Sequence, residues 1–196
     1  MMNTGQNILV FIIETFATLF LIFVLLRFFL QLVRADFYNP LSQGIVKITN
    51  PVLIPMRRVI PGMFGIDLAA ILLALLVQLF QGELICLVLT GKLINPANMI
   101  VWGFLGLLRM TLYLGYALMI IVVVSSFLAP YNPHPALTLS RQLLEPILAP
   151  IRNVIPPVGG FDFSVLVLGI ILFILEQLLY QLALTLGLSP VLIIGF

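Results

Sequence analysis

The charged residues of this chain are few enough to be taken one at a time. Only 8% of its 196 residues are charged and 62% are hydrophobic. An ionisable group inside an apolar run is costly there, and so is a candidate for function. Glu14, Glu83, Arg109 and Glu176 fall in such runs, together with Gln78, Gln81, Gln177 and Gln181. Three carboxylates against one arginine leave excess negative charge that would attract a cation or pass protons. In the competing reading Arg109 pairs with one carboxylate and the glutamines bond between helices, at about 1 kcal/mol per contact. A second set of charges lies in polar stretches: Arg57 and Arg58 before Asp67, and Arg152 before Asp162. Other chemistry finds little footing. The single cysteine, Cys86, excludes an internal disulfide and a cysteine cage for metal. The single histidine, His134, sits in a proline-rich turn, and no P-loop, HExxH, GxSxG or CxxC occurs. The expectation is a protein that is not an enzyme and needs no cofactor or metal.

The arginines and aspartates belong to a phrase that occurs twice. Residues 50–67 read NPVLIPMRRVIPGMFGID, and residues 145–162 read EPILAPIRNVIPPVGGFD. At one constant offset Pro51, Pro55, Arg57, Pro61 and Asp67 recur as Pro146, Pro150, Arg152, Pro156 and Asp162. Upstream, Tyr38-Asn39-Pro40 is matched by Tyr131-Asn132-Pro133, with two extra residues in the second copy. Such periodicity points to a tandem duplication.

A mean hydropathy of +1.25 marks an integral membrane protein. A bilayer core of about 30 Å needs roughly 20 apolar residues as helix. Ile8–Leu32, Leu68–Thr90, Leu107–Ala129 and Phe163–Leu186 meet that requirement. The sequence therefore predicts an all-α membrane protein with four transmembrane helices, arranged as two parallel tandem helical hairpins. Residues 1–92 form the first repeat, 93–106 an interfacial or re-entrant connector anchored by Trp102, and 107–196 the second repeat. The apolar end, Val191–Phe196, is too short to cross and is expected to lie against the surface. Basic residues of short loops set orientation. Arg34, Lys47, Arg57, Arg58, Arg141 and Arg152 lie on one side, which places the repeated phrases in the cytoplasm and both termini outside.

Each cytoplasmic segment reads as two short helices joined at prolines. Asn39 and Asn132 are N-caps ahead of Pro40 and Pro133. Leu41, Ile45 and Ile48 mark an apolar face, with Ser42 elsewhere. Asn50-Pro51 restarts the helix, Pro55 kinks it, Pro61 ends it, and Asp67 or Asp162 caps the next span. Segments this apolar are expected to lie on, or dip into, the inner headgroup layer, with Arg57, Arg58 and Arg152 reaching lipid phosphates or a partner. The small-xxx-small pair Ala70 and Ala74 offers a packing face.

The doubled phrase, N-P … P-x-R-R-x-I-P … D, resembles that of the YggT family of bacterial membrane proteins, which has plastid relatives. The likeness covers nearly the whole chain. Glu145 stands for Asn50 and Asn153 for Arg58, so the second copy is less basic. The resemblance implies a bacterial inner-membrane protein linked to osmotic-stress tolerance, with potassium handling and envelope or division functions in view; plastid relatives are linked to cytochrome-complex assembly. Two functions are carried forward. The first is a non-enzymatic assembly, scaffolding or envelope-homeostasis role, with the bilayer and a membrane-protein partner or a second copy as partners. The second is a potassium or sodium channel, transporter or regulator of one. A net charge of +2 gives no reason to expect a nucleic-acid partner.

Overall fold

The structure, a computed structural model, describes residues 3–63, 65–93, 95–128, 134–157, 159, 162–188 and 192–195. Six helices follow one another: α1 Thr4–Leu32, α2 Pro40–Val59, α3 Leu68–Thr90, α4 Pro96–Leu128, α5 Pro135–Val154 and α6 Ser164–Thr185. Four of them, α1, α3, α4 and α6, are long and apolar enough to cross a membrane. No strand occurs among the described residues. The protein is thus all-helical, with two helical hairpins whose interrupting helices are α2 and α5.

The duplication is more regular than the sequence suggested. Both α2 and α5 are 20 residues long, and each landmark of the first recurs 95 positions later in the second. Asn132 and Pro133 lie outside the described residues, and α5 starts after them. Its N-cap is His134, whose Nδ1 accepts the N–H of Ala136 at 3.2 Å, and its first residue is Pro135. These are the counterparts of Asn39 and Pro40, where Asn39 Oδ1 accepts the N–H of Leu41 at 2.9 Å. The expected two-residue insertion is therefore absent. The repeated word Tyr-Asn-Pro misled because an N-cap needs only a well-placed acceptor, and an imidazole nitrogen supplies one.

Both α2 and α5 are also single helices, although each holds two internal prolines. Each proline removes one backbone bond and disfavours helix, yet Pro51 and Pro55 sit four apart on the exposed side. The opposite side of α2 holds it in place through buried Ser42, Ile45, Thr49 and Leu53. Tertiary packing of that stripe outweighs local propensity. The stripe differs from the expected one, since Ser42 is buried while Leu41 and Ile48 are exposed. Pro61 and Pro156 do end their helices. Each forces the preceding residue, Ile60 or Ile155, into extended backbone.

The spans pack as a row. Helix α1 lies on α3 and touches α4, α3 lies on α4 and α4 on α6, while α1 and α6 have no more than marginal contact among the described residues. Four spans in this order do not close around a central space. The α1–α3 seam is tight because Ala69, Ala70 and Ala74 face Leu21, Val24 and Leu25 in one buried cluster. The small-residue face is thus consumed within the chain.

Two expectations about the loops change. No separate lead-in stands before the third span: α4 begins at Pro96, with Asn95 Oδ1 accepting the N–H of Ala97 at 3.0 Å, and runs unbroken through Gly103 and Gly106. Neither glycine breaks the helix, and Gly106 is a site of close packing. A Cβ on Gly106 would fall 2.3 Å from Ile193 Cγ2 and 2.9 Å from the Ile194 carbonyl oxygen. The tail also turns inward and is not spread on a surface. Ile193 and Ile194 are buried, and Ile194 is held by Gln78, about 15 Å along α3 from its start.

Candidate functional site

The repeated arginine and aspartate meet in both copies. Arg57, in the last turn of α2, pairs with Asp67 and also donates to Gln31 Oε1 at 3.0 Å. Asp67 is only 2% exposed, and its other oxygen accepts the N–H of Ala70 as the N-cap of α3. A glycine with positive φ, Gly65 (83°), makes the intervening turn possible, where Met63 and Ile66 exchange backbone bonds at 3.1 and 2.9 Å. In the second copy Arg152 Nε donates to Asp162 Oδ2 at 2.8 Å, and its Nη1 lies 2.8 Å from both oxygens of Glu145. Asp162 stands one residue further from the helix than expected. The N-cap of α6 is Phe163, and Asp162 instead accepts the backbone N–H of Ser164 at 3.0 Å. Burial works to raise the Asp162 carboxyl, but hydrogen bonds from Ser164 and Arg152 prevail and hold it below its ordinary value.

These pairs change the meaning of the arginines. Arg57 and Arg152 each tie the end of an interrupting helix to the start of the next span. A buried carboxylate needs a paired counter-charge, and the arginine supplies it. Arg58 is different: it is exposed and makes no hydrogen bond or ion pair among the described residues. Within the doubled phrase it is the arginine left available.

The two interrupting helices are joined to one another. Asn39 Nδ2 donates to the Pro135 carbonyl oxygen at 2.8 Å, and the Asp36 N–H donates to Gln142 Oε1 at 3.0 Å. Leu30, Ala35, Ile45, Leu139 and Leu143 form a buried cluster beneath that junction. The result is a continuous platform packed against the spans, α2 on α1 and α3 and α5 on α4 and α6. Its outward side carries apolar residues, among them Ile48, Val52, Ile54, Ile147 and Val154.

The polar residues of the spans are dispersed. Arg109 lies 3.5 Å from Glu176 and over the rings of Tyr113 and Tyr180 at 5.4 and 5.7 Å. Glu14 is on α1 and Glu83 on α3. No group of three or more His, Cys, Asp or Glu able to hold a metal ion occurs among the described residues. Gln78 has a structural partner: its amide accepts from the Ile194 N–H and donates to the Ile194 carbonyl oxygen, both at 3.1 Å. Arg27 reads in the sequence as an ordinary basic residue within an apolar run. It is 6% exposed, stands 5.1 Å over the Phe37 ring, and leaves Nε and Nη1 without hydrogen-bond partners among the described residues. Nothing in the local pattern distinguishes it from Arg34; only its position against α2 and α3 does.

Comparison with known proteins agrees with this geometry. The CCB3/YggT family model matches residues 6–88 and again residues 101–183, a separation equal to the offset between α2 and α5. An uncharacterised protein of Pseudomonas aeruginosa is 42% identical over 158 residues, 79% of either chain. One of Vibrio alginolyticus is 39% identical over 166 residues, covering 84% of this chain and 89% of that one. The uncharacterised YggT protein of Escherichia coli K12 is 34% identical over 174 residues, 88% of this chain and 89% of its own. No solved structure matches.

Proposed function

The chain belongs to the CCB3/YggT family, and on that premise we propose that it is a non-catalytic protein of the bacterial inner membrane, with a scaffolding or assembly role in envelope and osmotic homeostasis. The α2–α5 platform is its working surface and lies in the cytoplasmic headgroup layer, with both termini outside. The observation that carries this reading is the platform itself. Two proline-bearing helices of equal length are locked to the spans by Arg57–Asp67 and Arg152–Asp162 and to each other by Asn39 and Gln142. Such construction presents a fixed surface, half apolar and rimmed by Lys47, Arg58 and Arg141, to lipid and to a membrane-protein partner or a second copy. The pairing of Arg109 with Glu176 and the open row of spans weigh against ion conduction by one chain.

The test is photocrosslinking in the native membrane from Ile48, Val52 and Ile147, with Phe173 on α6 as the off-platform control; all four are exposed. The expected result is a discrete protein adduct from the platform positions alone. Lipid adducts only, or equal protein capture from Phe173, would overturn the scaffolding reading. Arg57→Gln is unsuitable for this purpose, since it breaks an internal ion pair; Arg58→Gln removes one platform charge and leaves that pair intact.

A further inference from the structure

Where α4, α5 and α6 converge in the second repeat they leave a cavity of about 940 Å³. Its lining changes character from end to end. Met119, Val123, Leu166 and Gly169 form one end, and Ser126, Arg141, Glu145, Arg152 and Asp162 the other. Asp162 stands just before α6, and Gly169 lies five residues beyond the helix's first, about 8 Å of helical rise. A polar mouth that gives way to an apolar throat over this distance has the profile of a phospholipid headgroup and the first part of its acyl chains.

The first repeat is built differently at the equivalent positions. Where α4 has Val122 and Ser126, α1 has Arg27 and Gln31. Both are turned inward, Arg27 almost wholly buried and Gln31 bonded to Arg57. Valine and serine cannot replace that volume, so the duplication has left its second copy open.

The charges at the mouth indicate what fits. Arg152 is engaged by Asp162 and by both oxygens of Glu145. Arg141 is exposed and makes no hydrogen bond or ion pair among the described residues. Glu145 is 53% exposed and retains acceptor capacity. Arg141 and Glu145 stand four apart on α5 and so project side by side. Two arginines and two carboxylates sum to zero, which suits a zwitterion better than an anion. We propose that this cavity binds one aminophospholipid, its phosphate on Arg141, its ammonium on Glu145 and its chains against Met119, Leu166 and Gly169. A choline headgroup has no N–H to give Glu145, and a glycerol headgroup brings negative charge without an ammonium. The assignment rests on the reading that α5 lies in a headgroup layer.

The experiment places the full-length protein in nanodiscs of equal parts phosphatidylethanolamine, phosphatidylcholine and phosphatidylglycerol, and native mass spectrometry then counts the lipids retained on release. One phosphatidylethanolamine should be retained in preference to the other two. Glu145→Gln should lower its preference over phosphatidylcholine by roughly three- to tenfold, as expected for one partly exposed charge-assisted bond. Arg141→Gln should weaken retention of all three lipids alike, and Gly169→Leu should abolish it. A Cβ at Gly169 would meet Met119 at 3.6 Å, an ordinary contact, so the first atom of the added side chain is accommodated. If Gly169→Leu lowers the melting temperature, the headgroup ratio in Glu145→Gln decides alone. Retention of phosphatidylglycerol over phosphatidylethanolamine, retention in the bulk ratio, or an unchanged ratio in Glu145→Gln would each overturn the proposal. Both leaflets of the nanodisc are alike, so these outcomes bear on the cavity, whereas the crosslinking outcomes bear on the platform.

Discussion

Replacing Gln78 by leucine isolates the contact between the tail and the spans. Gln78 is fully buried, and its amide meets both backbone groups of Ile194, as a neighbouring strand would. Non-helical backbone at membrane depth is tolerated only where protein buries and satisfies it. Leucine keeps the volume and removes both partners. Two interhelical bonds at the membrane average of about 0.6 kcal/mol each set a floor near 1 kcal/mol. Two orphaned buried groups at about 1–3 kcal/mol each set a ceiling near 6 kcal/mol. A loss of about 2–4 kcal/mol is therefore expected, with the tail released before the spans separate. The assay is thermal unfolding in detergent together with maleimide labelling of Ile194→Cys in a Cys86→Ala background. The reference protein should label slowly and the Gln78→Leu protein quickly. Deleting residues 189–196 provides the second arm of a cycle. Without the tail, the Gln78 amide is itself the orphan, so leucine should then be neutral or stabilising. Equal destabilisation by Gln78→Leu with and without the tail would refute the reasoning, as would unchanged labelling.

Two further perturbations follow from the same geometry. Arg57→Gln should cost about 3–5 kcal/mol in thermal unfolding, because Asp67 would stay buried without its ion-pair partner. Arg152→Gln should cost about 1 kcal/mol or less, since Asp162 is 31% exposed and keeps its bond from Ser164; equal losses would contradict the account of the two pairs. Gly106→Ala should destabilise by about 1–3 kcal/mol and expose Ile194→Cys to label, because its Cβ would collide with the tail. Gly103→Ala should be neutral or stabilise by up to about 1 kcal/mol, since its Cβ would sit 3.5 Å from Gln78 Cβ. The reverse order in unfolding temperature would count against tail insertion.

Hydropathy and the doubled phrase determined a great deal about this protein on their own. Four apolar runs of bilayer length can satisfy their backbones in lipid only as helices, so the spans were legible one by one. The duplication was legible too, because prolines, glycine and aspartate mark helix ends through local backbone geometry. Local signals failed where the competing force was distant. Proline propensity predicted a broken segment, but α2 and α5 remain whole because Ser42, Ile45, Thr49, Leu53 and their counterparts are held by other helices. The stretch 93–106 reads as a separate connector, but it is continuous with α4, and its Gly106 is where the tail comes close.

Charge was the least legible property, for a physical reason. A guanidinium's role depends on what stands within about 4 Å of it, and sequence gives no such distance. Arg57, Arg58 and Arg141 are alike in composition terms. Only the tertiary structure makes Arg57 the partner of a buried aspartate and leaves Arg58 and Arg141 exposed. Likewise the identity of Val122 and Ser126 is plain in the sequence, but the cavity they leave exists only because α5 is held against α4 and α6. The sequence determined which segments are helices and that they come in two copies, since those are properties of a chain in a bilayer. Which charges are spent on holding the copies together, and which are left over for a ligand, was decided by packing.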